Sequence, residues 1–476
     1  TQAMKNVHLS MRQIRSIVAE VIEQEIPKLK ETLPSSVLRK LSLPNIREAS
    51  RMLHFPDSTA SVERARFRMK FEELFFFEMM LALRKRGIKV MERGVVIDPK
   101  SPRARGLMDS LPFELTHAQK RVIWDIATDF QSGKPMNRLL QGDVGSGKTL
   151  VALFAMLMAI DGGYQTLLMA PTEILAEQHY HTLKNFLEGS GIEIVQLIGG
   201  QKAKMRRDIK EKIALGEAHI IIGTHALFSG NATDISRTVD YHKVGLIVVD
   251  EQHRFGVMQR AKLRDLGIRS HAADATPSLP ISPHILVMSA TPIPRTLSMT
   301  LYGDLDISII DQMPHGRKPI KTEVVFESKL DVTMEFIRSE VRSGRQAYIV
   351  YPLVEKSDKI ELKSAVEHFE HLQREVFPEF KMGLLHGQMF WYEKDDAMKA
   401  FKNKEFQILV ATTVVEVGID VPNATVMLIE NAERFGLSQL HQLRGRVGRG
   451  GEQSYCFLAT KDHFRFLLGK KEQEAS

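Results

Sequence analysis

The run Gly142-Asp143-Val144-Gly145-Ser146-Gly147-Lys148-Thr149 fits the pattern GxxxxGK[ST]. It lies between a short apolar run that reads as a strand and a long apolar run that reads as a helix, the setting this pattern requires. Glycines there let backbone N–H groups close around phosphate oxygens, and the helix N-terminus adds a favourable dipole. Lys148 then reaches the β- and γ-phosphates of a nucleoside triphosphate, and the Thr149 hydroxyl suits Mg²⁺. Further along, Val248-Val-Asp250-Glu251-Gln252-His253 ends another apolar run on two acids. That places both at the carboxyl edge of a parallel sheet, beside the phosphate loop. Asp250 suits Mg²⁺, directly or through water, and Glu251 suits deprotonation of an attacking water.

Two more segments extend this chemistry. Ser289-Ala-Thr291-Pro follows the apolar run 285–288. Its hydroxyls can hydrogen-bond His253 and relay the state of a γ-phosphate. Gln442-Leu-Arg444-Gly-Arg446-Val-Gly-Arg449 interleaves three arginines with glycines. Planar guanidinium groups make bidentate phosphate contacts and serve as arginine fingers. Taken singly, these motifs have ordinary readings: a helix N-cap, a Ser/Thr turn at a strand end, a basic surface helix. Behind a phosphate loop, they read together as a hydrolytic site.

The elements that must position these residues are strands alternating with helices. From residue 111 the apolar runs 138–141, 166–170, 220–223, 246–249 and 285–288 alternate with helical patterns at 117–131, 148–160, 173–188 and 203–215. After the Pro/Gly-containing stretch 313–319 the pattern resumes, with strands at 346–351, 382–385, 408–411, 425–429 and 455–458. Such alternation predicts α/β domains with parallel sheets covered on both faces. Before them, 11–30 and 61–86 read as helices. In the second, Phe67, Phe71, Leu74 and Phe75 form one apolar stripe, with Arg64, Arg68, Arg84, Lys85 and Arg86 off it. Residues 99–106 read as a linker and 270–284 as a surface loop. The predicted domains are 1–110, a basic helical piece, then 111–314 and 315–476.

The 476-residue chain is 43% hydrophobic and 26% charged, so its bulk is globular rather than disordered. One cysteine, Cys456, excludes a disulfide framework and a site of paired thiolates, and fits a reducing cytoplasm. The first ten residues lack an apolar signal-peptide core, and the most apolar short run, 74–83, carries Glu78 and is too short to span a bilayer. Lys and Arg outnumber Asp and Glu by 21 to 13 in residues 1–110 and balance them, 44 to 45, in the rest. This asymmetry points to an anionic partner, nucleic acid before membrane; a solvated basic face explains the charge equally well.

The combined motifs resemble the RecG group of superfamily 2 DNA helicases. The segments that carry the resemblance are Phe113-Glu-Leu-Thr-His-Ala-Gln119, the phosphate loop, Ala170-Pro-Thr-Glu-Ile-Leu-Ala-Glu-Gln178 and Gly223-Thr-His-Ala-Leu227. With them go Asp250-Glu-Gln-His-Arg-Phe-Gly256, Ser289-Ala-Thr-Pro-Ile-Pro-Arg-Thr296, Leu385-His-Gly-Gln-Met389, Thr412-Thr-Val-Val-Glu416-Val-Gly-Ile-Asp420 and the arginine motif. His54-Phe55-Pro56 is similar to the group's connector. The resemblance implies two tandem RecA-like domains behind that connector, with ATP and Mg²⁺ bound at the cleft between them. Phe113 and Gln119 would contact adenine. Arg446 and Arg449 would be the fingers, and His253, Ser289, Thr291 and Gln442 would couple ATP state to motion. Pro171, Thr172, Glu173, Thr224, His225, Thr412 and Thr413 would lie along a DNA backbone. The implied partner is branched duplex DNA, with a single-stranded-DNA-binding protein beside it, no membrane, and a monomer working at the bacterial nucleoid. Against the group's pattern, residues 1–110 would hold the connector and only a remnant of the wedge region, and the sequence runs 27 residues past Arg449, short of the group's C-terminal translocation element, so poor fork unwinding is the expectation. A transcription-repair-coupling translocase shares much of the motor wording, and an ATP-gated DNA clamp remains open as the non-enzymatic alternative.

Overall fold

A computed structural model describes residues 10–228, 239–251, 265, 268, 270–271, 280–290, 305–314, 318–352, 366–412 and 421–464. Among these, the residues up to Ile88 form one compact unit and those from Lys89 onward a second.

The first unit is helical: Met11–Glu25, Ser35–Lys40, Ile46–His54 and the start of Thr59–Met91. Ser10 with Gln13, and Asn45 with Glu48, form capping boxes that satisfy the first N–H groups of two of these helices. The long helix buries only part of the stripe its sequence suggests, with Phe71 and Phe75 half-buried and stacked on each other. Phe67 and Leu74 are exposed, whereas Ala65 and Arg68 are fully buried. Arg68 donates to Glu31 at 2.7 Å and to Glu72 at 2.6 Å. Glu31 also accepts from the backbone N–H of Leu33 and Ile46, so one guanidinium ties the 31–33 turn and the start of the helix Ile46–His54 to Thr59–Met91. The charge of Arg68 is therefore spent internally and adds nothing to a basic outer face. A buried, doubly paired arginine thus sits in the interior at a position that lies off the apolar stripe.

The second unit holds two parallel sheets, each with its own core. In the first, β2 (Asn137–Gly142), β3 (Gln165–Met169), β4 (Ile194–Leu197), β5 (Ile220–Gly223), β6 (Val244–Val249), β8 (His284–Ser289) and β9 (Asp306–Ile310) lie in the order β4-β5-β3-β6-β8-β2-β9. A two-residue pair, β1 (Arg93–Gly94) with β7 (Ile281–Ser282), stands beside it. In the second sheet, β10 (Lys321–Phe326), β11 (Gln346–Val350), β12 (Met382–Leu385), β13 (Ile408–Ala411), β14 (Ala424–Ile429) and β15 (Tyr455–Thr460) lie in the order β10-β15-β14-β11-β13-β12. The helix Lys148–Asp161 buries every residue from Leu150 to Ile160, because the apolar run leaves it no polar face. The expected α/β architecture of two tandem domains is thus present.

Two boundaries move. Residues Pro102–Ser110 are a helix rather than a linker. Ser101 caps it, Pro102 starts it, and Ala104 and Leu107 join the first domain's core. The Ser101 hydroxyl and the Arg103 guanidinium both bond Asp161, at the end of the buried helix. Val95 and Ile97 belong to the same core, which carries the first α/β layer back from residue 111 to about residue 93. The stretch 270–284 is not all loop either: His271 is buried, with Nε2 at 2.7 Å from the Val244 carbonyl, and Ile281–Ser282 pairs with β1. Among the described residues no helix is long and apolar enough to cross a membrane.

His284 locks this packing. Its Nδ1 accepts from the Met136 N–H at 3.0 Å, its Nε2 donates to the Val95 carbonyl at 2.6 Å, and its ring lies 4.7 Å from Phe130. Burial pushes its pKa down to about 4 from 6.5, outweighing the Val95 bond that favours the charged form. Between those values the unfolded chain takes up a proton that the folded one refuses. Stability from this group is therefore complete above pH 6.5 and falls as the pH drops towards 4, by about 3 kcal/mol in all. Urea unfolding at pH 7 and pH 4.5 checks this: His284→Gln is expected to show a shallower loss on acidification than the parent.

Candidate nucleotide-binding cleft

The phosphate loop leaves β2 at Gly142 and ends as the helix Lys148–Asp161 begins. Gly145 and Gly147 carry φ of 79° and 89°, values that side-chain-bearing residues rarely adopt. At Gly147 there is a second reason for glycine: a Cβ would fall 2.3 Å from Gln119 Nε2. That nitrogen donates to the Ser146 carbonyl at 2.8 Å, while Gln119 Oε1 accepts from the Thr116 N–H at 2.9 Å. Gln119 thus closes a helix cap and clamps the phosphate loop with the same amide. The Lys148 ammonium donates to the carbonyls of Gly142 and Asp143, each at 2.9 Å. Burial lowers its pKa and the Arg449 charge adds to that; Asp250, Glu251 and Asp143 pull the other way without reversing it.

β6 is buried along its whole length and delivers Asp250 and Glu251 at its carboxyl end. Asp250 Oδ2 bonds His179 Nε2 at 2.8 Å, and its Oδ1 accepts the Glu251 N–H at 3.0 Å. Burial pushes the Asp250 carboxyl up, but the His179 bond and charge, the Lys148 ammonium and the Glu251 N–H together hold it below its ordinary value. Glu251 has a φ of 50°, a left-handed backbone imposed on a residue with a side chain. Strain of this kind costs roughly 1–3 kcal/mol and persists where the surroundings dictate it, typically at functional sites.

The second domain supplies the opposite wall. The helix Leu437–Arg444 carries Gln442, and the chain beyond it presents Arg446 and Arg449. Together the two walls enclose a cleft of about 490 Å³, lined by Phe113, Gln119, Val144, Gly145, Gly147, Lys148, Thr149, Asp250 and Glu251 from one side and by Gln442, Arg446 and Arg449 from the other. Arg444 Nη2 bonds Asp143 Oδ2 at 3.0 Å across the cleft. The residues expected to bind and hydrolyse a nucleotide are therefore brought to one place. The donor set also suits the groups it would hold. The backbone cradle has room for no side chain at Gly147, and the Ser146 hydroxyl inside it is buried without a hydrogen-bond partner. One carboxylate with one hydroxyl matches Mg²⁺, which keeps most of its waters and shares substrate phosphates.

Other expected site residues fall elsewhere. Ser289 ends β8, buried. His253, Thr291 and Thr413 lie outside the described residues. Of those expected along DNA, none that is described lines the cleft. Pro171, Thr172 and Glu173 are half-buried, and the Thr172 hydroxyl caps the helix Glu173–Phe186. Thr224 and Thr412 are buried, with hydroxyls that have no hydrogen-bond partner, and His225 is exposed.

Sequence reasoning missed one wall of the cleft. Leu175, Gln178, His179, Thr182 and Phe186 all line it from one face of the helix Glu173–Phe186. The available signal was polar residues on an otherwise apolar helical stripe, with the Gln178 Oε1 now found buried and unbonded.

Comparison with known proteins follows the same outline. The family profile described as DEAD/DEAH box helicase matches residues 116–300, and that described as helicase conserved C-terminal domain matches 328–451. The chain is 47% identical over 451 residues to the ATP-dependent DNA helicase RecG of Synechocystis sp., covering 94% of this chain and 52% of that protein. It is 46% identical over 467 residues to RecG of Streptococcus pneumoniae, covering 96% and 66%. A solved structure of RecG bound to a three-way DNA junction aligns with a TM-score of 0.76 at 42% identity, over 98% of this chain and 59% of that one. The chain thus spans between half and two thirds of the length of these curated relatives. With both helicase profiles in order and this identity sustained from end to end, the chain belongs to the RecG family.

Proposed function

We propose that this chain is the motor of an ATP-driven machine acting on branched duplex DNA. The observation that carries the reading is the shared cleft: Lys148, Thr149, Asp250 and Glu251 on one wall face Gln442, Arg446 and Arg449 on the other. Backbone N–H groups of the loop and Lys148 would hold the phosphates, and Phe113 would sit against the base. Thr149 and Asp250 would hold Mg²⁺, which would neutralise phosphate charge. Glu251 would take the proton from the attacking water, and Arg446 and Arg449 would stabilise the charge that develops on the transferred phosphoryl group. Because the fingers come from a separate domain, the site is complete only when the cleft is closed, which ties hydrolysis to hinge motion. His253, Ser289, Thr291 and Gln442 would pass that motion on.

Pro171, Thr172, Glu173, His225 and Thr413 would form the DNA track, and Thr224 and Thr412, whose side chains are buried, would meet it only through main-chain groups. Contacts there would be to the backbone, giving affinity without sequence choice. A single-stranded-DNA-binding protein as partner and a place at the nucleoid go with this reading.

The test is steady-state ATP hydrolysis with no DNA, with linear duplex and with a three-way junction of equal length. Mg²⁺-dependent hydrolysis that the junction raises above the linear duplex is expected. Nucleotide binding with no hydrolysis under any of these conditions would favour an ATP-gated clamp instead.

A further inference from the structure

The arginine segment contains a third guanidinium, Arg444, and it does not line the cleft as Arg446 and Arg449 do. It bonds Asp143, the second residue of the phosphate loop, at 3.0 Å. The other Asp143 oxygen accepts the Val144 N–H at 2.8 Å, so the carboxylate joins the loop's own backbone to the opposite domain. One residue further, Gly445 rests directly on Val144: a Cβ there would lie 2.4 Å from the valine's Cβ. Arg449 Nε in turn donates to the Gly445 carbonyl at 3.1 Å. The first variable residues of the phosphate loop and the start of the arginine segment therefore meet in two independent ways, one electrostatic and one steric.

We propose that Arg444 and Asp143 form an interdomain latch that docks the arginine segment on the phosphate loop before nucleotide arrives, making Arg444 a positioning residue for Arg446 and Arg449. This rests on the hydrolytic reading of the cleft and adds to it how the cleft is held shut. Both partners of the pair remain partly exposed, so its worth to overall stability is small. A two-state hinge responds to small differences, however, and a pair of this kind shifts a closed-to-open ratio by roughly fivefold. Gly445 sets the distance of approach. Any side chain there holds the segment off Val144 and withdraws Arg446, two residues from Arg444, from the cleft.

The experiment uses the full chain with spin labels at Trp124→Cys and Val332→Cys, which are 69% and 71% exposed on separate domains. The native Cys456 is buried with its thiol pushed up to about 12, so it does not take label. In Arg444→Gln without nucleotide, the distance distribution is expected to move to a longer, broader population, with the thermal unfolding midpoint unchanged. ATP hydrolysis by that variant is expected to show KM raised roughly fivefold with kcat largely recovered at saturation, since nucleotide itself closes the cleft. Asp143→Asn should do the same, and the double variant should be no worse than either single one. An unchanged nucleotide-free distribution in Arg444→Gln, or effects that multiply in the double variant, would overturn the latch. A parent chain that hydrolyses no ATP would instead overturn the enzymatic reading, while the distance measurement still decides on the latch.

Discussion

Glu251→Gln is expected to bind nucleotide as tightly as the parent and to turn it over about 10²–10⁴-fold more slowly, the range lost when a positioned base is removed. The substitution keeps shape, so the loop and its contacts stay in place. Asp250 still accepts the N–H of residue 251, which belongs to the main chain. What is lost is the proton acceptor. One side effect has a known sign: Glu251 is among the charges that hold the Lys148 pKa up, so its neutralisation pushes that pKa further down. Fluorescent-nucleotide titration measures the first expectation and single-turnover hydrolysis the second. Turnover within a few-fold of the parent would show that water is activated by another group.

The parts of the fold that were legible are those whose surroundings are uniform. β3, β5, β6 and β8 are buried on both faces, and burial on both faces demands continuous apolar runs, which need no partner to be recognised. The buried helix Lys148–Asp161 is the helical equivalent. Edge strands obey a different rule. β4 alternates half-buried and buried residues, and β10 begins with Lys321, Thr322 and Glu323, all exposed. Such segments become strands because a neighbour is there to pair with, so their own residues say little. The stretch 99–106 reads as a linker for a related reason: its two prolines and three basic residues obscure Ala104, which with Leu107 docks the helix Pro102–Ser110.

In the cleft, motifs whose chemistry is local were legible, and contacts made by the fold were not. A phosphate loop is a property of eight consecutive residues, and two acids after a strand are a property of its end. The Arg444–Asp143 pair joins residues 301 apart in sequence, and His179 meets Asp250 across 71. Neither is visible until the strand order sets the β3 and β6 ends side by side and the second domain is laid against the first. Arg68 illustrates the converse. Charge counting places it on an outer face, but the fold buries it against two glutamates, so the count does not tell which charges reach the surface.

The largest loss is expected at Arg446. Arg446→Ala should leave nucleotide binding nearly intact, because the phosphate loop, Lys148 and Thr149 all belong to the first domain, and should slow hydrolysis by about 10³–10⁵-fold. That split between binding and turnover is the signature of a group whose main contact is with the transition state. Arg446→Lys should fail to rescue. An ammonium carries the charge but cannot make the paired, planar contacts of a guanidinium. The comparison with Arg444 separates the two arginines. Losing the latch residue should cost affinity that saturating ATP restores, whereas losing Arg446 should cost rate that no concentration of ATP restores. A lysine variant that hydrolyses ATP at the parental rate would mean that position 446 needs only positive charge, and the finger would then have to be sought at Arg449.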